Sequence, residues 1–214
     1  MMSGSGELDE GLSHLKEDVM DFYKVALAVM IVIPAASPVL AQSVGTEVQR
    51  DINQETRVEQ GLKSGQLSTG EAAKLERGEA RIDRMESKAL KDGNLSQQEA
   101  TRIQGAQNRE SETINRLKHN DVTGNPNSAS SQRMQADVQR NINQQRRIQR
   151  GVQSGALTKK EVSQLERGQA RVGRAEARAG ADGHVGAREQ ARIQNRENNQ
   201  SRKIFREKHN NRMR

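Results

Sequence analysis

The sequence predicts an all-α protein made of two tandem helix-turn-helix-turn-helix modules. Three observations predict it. Residues Val48–Asn120 repeat without a gap ninety positions on, as Val138–Asn210, with 34 identical pairs in 73. Within each copy, apolar residues recur at alternating spacings of three and four, the period of one helix face. Each run is then cut by Ser-Gly or Asp-Gly, and most restart on a Ser/Thr-x-x-Glu capping pattern. Glycine supplies the left-handed residue that closes a helix, and the capping pair opens the next one. Fixed-period self-similarity makes the repeat the unit of fold. The expected layout is a leader over 1–41, a first module over 42–119, a linker over 120–131 and a second module over 132–214.

The leader comes first. Residues 25–41 contain only one polar side chain, Ser37, and follow Lys24. Val39, Leu40 and Ala41 before Gln42 form an acceptable small-residue cleavage site, so the segment reads as a secretory signal peptide. A membrane anchor is the alternative. Pro34 and Pro38 oppose it, and the unbroken apolar run before Pro34 is nine residues, against the roughly 20 needed to span a bilayer. The expected location is periplasmic or secreted, without a transmembrane anchor after cleavage. Residues 1–19 are acidic, which a signal n-region is not. Met20 begins a more ordinary start, so 1–19 read as an extension. The chain has no cysteine, which excludes disulfides, thiolate nucleophiles and thiolate metal sites.

In module one, residues 47–63 read as a helix ended by Ser64-Gly65. Ser68 and Glu71 open a second helix over about 69–90, with Leu75, Gly78, Ile82, Met85 and Ala89 on one face. Asp92-Gly93 stops it. Ser96 and Glu99 open a third over about 97–118, carrying Ala100, Ile103, Ile114 and Leu117. Module two keeps the plan through Thr158 and Glu161, then Leu165, Gly168, Val172, Ala175 and Ala179, then Asp182-Gly183 and Glu189, with Gly186 in place of a capping serine. Between the modules, residues 120–131 are rich in Gly, Pro, Asn and Ser, the composition of a flexible linker. The apolar core is thin. Small residues on the stripes (Gly78, Gly168, Ala175, Ala179) suit close helix approach, between modules or between chains.

The four breakers read SGQLSTGE, DGNLSQQE, SGALTKKE and DGHVGARE. They resemble the second half of an EF-hand calcium loop, in which a glycine, an aliphatic and a bidentate glutamate stand at positions 6, 8 and 12. By that resemblance Gly65, Gly93, Gly155 and Gly183 match the glycine, and Leu67, Leu95, Leu157 and Val185 the aliphatic. Glu71, Glu99, Glu161 and Glu189 match the glutamate, and Asp92 and Asp182 match position 5. The first half departs: Gln60, Lys88, Arg150 and Arg178 stand at the first ligand position, where a cation repels the ion. The resemblance implies weak calcium binding, with Asp92, Glu99, Asp182 and Glu189 as the candidate metal ligands. Helix termination with a capping box accounts for the same letters without a metal. No other cofactor is implied. The chain as a whole is similar to small exported Arg- and Gln-rich helical repeat proteins of bacteria with no assigned function.

Charge separates the modules. Residues 48–127 hold 13 Lys and Arg against 13 Asp and Glu, while 138–214 hold 19 against 7, a net of +12. A basic half attracts polyanions, and Arg140, Arg146, Arg147 and Arg150 cluster on one helix as candidate contacts. Phe205 is the only aromatic after residue 41, so base stacking and an aromatic-lined pocket are out of reach. His119 and His209 match in RLKHN and REKHN and suit the last turns of their helices. No nucleophile elbow or phosphate-cradling glycine loop occurs, and the expectation is a protein that is not an enzyme. Three functions stay open: association with a protein partner or itself, weak calcium binding on EF-like loops, and polyanion binding by the basic module.

Overall fold

The computed structural model describes residues 39–210, with side chains from Val44 onward. The described residues form six helices and no strand: α1 Val39–Ser64, α2 Thr69–Ala89, α3 Gln97–Lys118, α4 Ala129–Gln153, α5 Lys159–Ala179 and α6 Ala187–Lys208. The expected leader lies outside the described residues, except that Val39 to Ala41 stand in the first turn of α1. None of these helices is long and apolar enough to cross a membrane.

The helix ends follow from local chemistry. Ser68, Ser96 and Thr158 each accept from the backbone of the residue three on, and Glu71, Glu99 and Glu161 reach back in full capping boxes. Gly65, Gly93, Gly155 and Gly183 all have φ between 67° and 88°, a region that side-chain-bearing residues rarely occupy. The aliphatic two residues on then plugs the turn: Leu67, Leu95, Leu157 and Val185 are all buried. Helix α1 starts eight residues earlier than the expected 47. No Gly-Pro or capping break separates Val39 from Thr46, so the helix extends back to Pro38. The stretch 120–131 gives its last three residues to α4, which Ser128 caps. The rest is tied down, with Gly124 N–H donating to Gly65 O at 2.8 Å.

Helices from the two halves of the chain pack on each other more extensively than on their own neighbours: α2 lies along α5 and α1 along α4. Small residues allow it. A methyl group at Gly173 would come within 3.2 Å of the Ala80 side chain, and one at Gly180 within 2.8 Å of Ala73. Helix α3 then covers α1 and α2, and α6 covers α4 and α5. The stripe glycines serve that covering: the Glu110 carboxylate lies over Gly78 and the Gln200 amide over Gly168. The outer helices are fastened by hydrogen bonds that recur ninety positions apart. Arg57 holds Ser111 as Arg147 holds Ser201, and Asn120 holds Glu71 as Asn210 holds Glu161, both at 2.6 Å.

Candidate metal centre

Helix α2 carries a second stripe besides its apolar one. Glu76, Glu79, Asp83 and Glu86 are spaced three, four and three apart, and therefore share a face. That face points inward: the four are exposed by 0, 3, 7 and 2%. It meets Asp51 and Glu55 of α1, one turn apart, and Glu166 and Glu176 of α5, all also buried. Eight buried carboxylates thus come from α1, α2 and α5. Among the described residues, no lysine or arginine forms an ion pair with any of them.

Three of the eight converge. One oxygen each from Asp51, Asp83 and Glu86 lies within 4.8 Å of the other two. Glutamine amides brace the group. Gln107, brought in by α3 and fully buried, donates from Nε2 to Asp51 Oδ1 at 2.8 Å and approaches Glu86 Oε1 at 3.3 Å. Gln145 of α4 donates to Glu166 Oε2 at 3.1 Å. Asp51 Oδ2, Glu86 Oε2, Glu166 Oε1 and Gln107 Oε1 remain buried without a hydrogen-bond partner. Buried acceptors without partners are uncommon in folded proteins and call for a cause.

Electrostatics gives the cause two forms. Burial pushes the carboxyls of Glu79, Asp83 and Glu86 well above the ordinary range, and neighbouring carboxylates push them further. Burial lifts Glu55, Glu76 and Glu176 in the same way. At the rim, burial raises Asp137 to about 7 and Glu197 to about 8, although Arg140 opposes both. Such a group either keeps protons or takes a cation, because several bare charges in a low dielectric cannot stand together. The donor set is oxygen alone, which suits hard cations rather than thiophilic or imidazole-seeking ones.

Comparison with known families, curated proteins and solved structures gave no match. The chemistry of this site therefore rests on its own residues.

The residues singled out from sequence lie elsewhere. Asp92 and Asp182 are exposed and accept from the backbone amides of Asn94 and His184 at 2.8 and 2.9 Å. Glu99 and Glu189 accept from the backbone amides of Ser96 and Gly186. All four thus bind their own turns, and among the described residues the only convergence of three metal-type ligands is the core trio. Arg140 reaches Glu197 at 2.9 Å, and Arg147 holds Ser201, so both fasten α4 to α6. Arg146 and Arg150 stay exposed. His119 and His209 cap their helices through Nδ1, each 2.7 Å from a carbonyl one turn back. The carboxylate stripe escaped the sequence reading because a charged helix face is ordinarily a solvated one. Its signal is the regular 76, 79, 83, 86 spacing, which puts four acids and no lysine on one line.

Proposed function

We propose that this is an exported, non-catalytic protein, built from two copies of one helical module, that binds a hard di- or trivalent cation in its core. The observation that carries the reading is the convergence of Asp51, Asp83 and Glu86 within 4.8 Å, buried and without cationic partners. Glu166, whose charge acts on Asp83 and Glu86, makes a fourth buried carboxylate, and Gln107 and Gln145 hold the group through their amide N–H bonds. Calcium and its relatives take six to eight oxygens at about 2.3–2.6 Å in flexible geometry, so a modest contraction of this core suffices. The test is equilibrium dialysis of the chain against calcium and lanthanum, with bound metal measured by mass spectrometry. Retention of metal by the wild type and its loss in Asp83→Asn/Glu86→Gln supports the reading. No retention at neutral or alkaline pH rejects it in favour of a core held by protons.

A second reading concerns the basic half. Lys160, Arg167, Arg171, Arg196, Lys203 and Arg206 line a cleft of about 680 Å3 between α5 and α6. Burial pushes the Lys203 ammonium down; Glu207 opposes this, and Arg171, Arg167 and Arg206 add to it. We propose this cleft, rather than the α4 arginines, as the place where a polyanion attaches through charge.

A further inference from the structure

The two halves of the chain surround one pair of arginines differently. In the first half, the Glu110 carboxylate of α3 lies over Gly78 of α2, and the charges of Arg81 and Arg116 act on it. Ninety positions on, the same set reads Gln200, Gly168, Arg171 and Arg206. The Gln200 amide lies over Gly168 as the carboxylate lies over Gly78. Both arginines are kept, and a neutral group of the same shape stands in place of the acid. Arg171 and Arg206 therefore line a cleft that lacks the built-in anion of its counterpart.

The same place gains cations. Arg196 stands where the first half has Ala106, Lys203 where it has Thr113, and Lys160 where it has Gly70. Lys91, from the turn after α2, reaches the same cleft. With Arg167, the lining holds seven cations and no acid. Among the described residues none of the seven is in an ion pair; the pairs present join Lys63 to Glu59 and Arg140 to Glu197. Lys203 donates to a neutral group, the Gln164 carbonyl, at 3.1 Å. The acid whose charge acts on Lys203 is Glu207, which accepts from Asn210 and does not line the cleft. Cations gathered in this way repel one another, and an anion seated among them relieves the repulsion.

We propose that the cleft between α5 and α6 binds a compact soluble anion of linked phosphates, an oligophosphate chain or a ligand that bears one, gripped by Arg171, Lys203 and Arg206 where the first half has its own carboxylate. This rests on the polyanion reading of the same cleft and names the class of ligand.

Size and charge density select that class. The cleft, about 680 Å3, has the volume of a small-molecule site. A nucleic-acid duplex is wider than the space between neighbouring helices and stays outside it. Seven cations in so small a space call for many charges on few atoms. A phosphate group packs roughly two negative charges and several acceptor oxygens together, and arginine forks match it with paired hydrogen bonds. No aromatic ring lines the cleft, so the phosphates are what it grips, whatever they are attached to.

Isothermal titration calorimetry of the metal-free full chain tests this, with sodium tripolyphosphate, citrate and a heparin oligosaccharide as separate arms. Tripolyphosphate is expected to bind at a single site and more tightly than citrate. Arg171→Gln/Lys203→Gln should weaken it by about tenfold or more. Gln200→Glu, which restores the acid that the first half keeps, should weaken it by a similar factor. Arg146→Gln/Arg150→Gln should leave it unchanged, and circular dichroism checks that helix content is the same in every variant. Heparin binding without tripolyphosphate binding overturns the ligand class and leaves the polyanion reading standing. Citrate binding as tight as that of tripolyphosphate overturns the class as well. Tripolyphosphate binding that survives either Arg171→Gln/Lys203→Gln or Gln200→Glu overturns the site. Binding of none of the three rejects the polyanion reading too.

Discussion

Gln107 on α3 donates to Asp51 on α1 at 2.8 Å, and neither side chain reaches solvent in any useful measure. An outer helix thus spends a buried amide on a carboxylate that has no cationic partner. The bond holds one Asp51 oxygen in place and leaves the other, Oδ2, unpartnered. That is the arrangement of a braced ligand, in which a neighbouring amide fixes the direction in which the free oxygen points.

Stability of the metal-free chain is expected to fall as pH rises. The core carboxyls are raised above their ordinary values by burial, Asp51 to about 7 and Glu166 to about 8. Between the unfolded and folded values the folded chain holds protons that the unfolded chain has released, so the slope of stability against pH is negative. The contribution of Asp51 and Glu166 is complete below about pH 3.8 and is lost through pH 7–8. Melting midpoints in chelator at pH 5.5 and 8.5 check it. Saturating lanthanum should reverse the trend, since ligands must lose their protons to bind. A midpoint in chelator that climbs with pH would sink this account.

Asp83→Asn should stabilise the metal-free chain and weaken metal binding together. It replaces a carboxyl whose ionisation is opposed by burial and by the neighbouring Glu166 and Asp51 carboxylates with an amide that cannot ionise, so the penalty of charging that place is removed. Denaturant titration in chelator and calorimetry with lanthanum measure the two effects. A loss of stability in chelator would show that Asp83 has a partner unlike the one argued for.

Glu99→Gln with Glu189→Gln should leave metal uptake unchanged. Those carboxylates accept from the backbone amides of Ser96 and Gly186 at the starts of α3 and α6, so the change acts on the helix ends. A fall in bound metal would return attention to the turns.

Gly173→Val should separate α2 from α5. Its added carbons would meet Ala80 and the Glu76 carbonyl, each 3.2 Å from even a first methyl. Overpacking of this kind costs about 1–3 kcal/mol, read as a lower midpoint in urea.

Heparin retention should fall in Lys203→Gln/Arg206→Gln and change less in Arg146→Gln/Arg150→Gln, with elution shifted to lower salt. Binding through charge alone weakens steeply with salt. Arg147→Gln should instead lower stability, because Arg147 bonds Ser201 through both guanidinium nitrogens.

The sequence alone determined the helices, their order and the ends that carry a capping pair or a glycine, but not the starts of α1 and α4. Capping pairs such as Ser68 with Glu71, and glycines such as Gly93 with φ of 88°, act over four or five residues, so local letters suffice to specify them. It also determined that Leu75, Ile82 and Ala89 lie inside. The tertiary structure decided what the other face of α2 meets. Periodicity shows that Glu76, Glu79, Asp83 and Glu86 share a face, but it carries no information on whether that face meets water or a second helix. Only the docking of α5 on α2, through Gly173 and Gly180, takes those acids out of water and sets Glu166 and Glu176 against them. The same limit applies to Arg140 and Arg147, which read as a free basic cluster until α6 packs beside them. A charge acquires its role from its surroundings, and those surroundings are assembled from residues far apart in the chain.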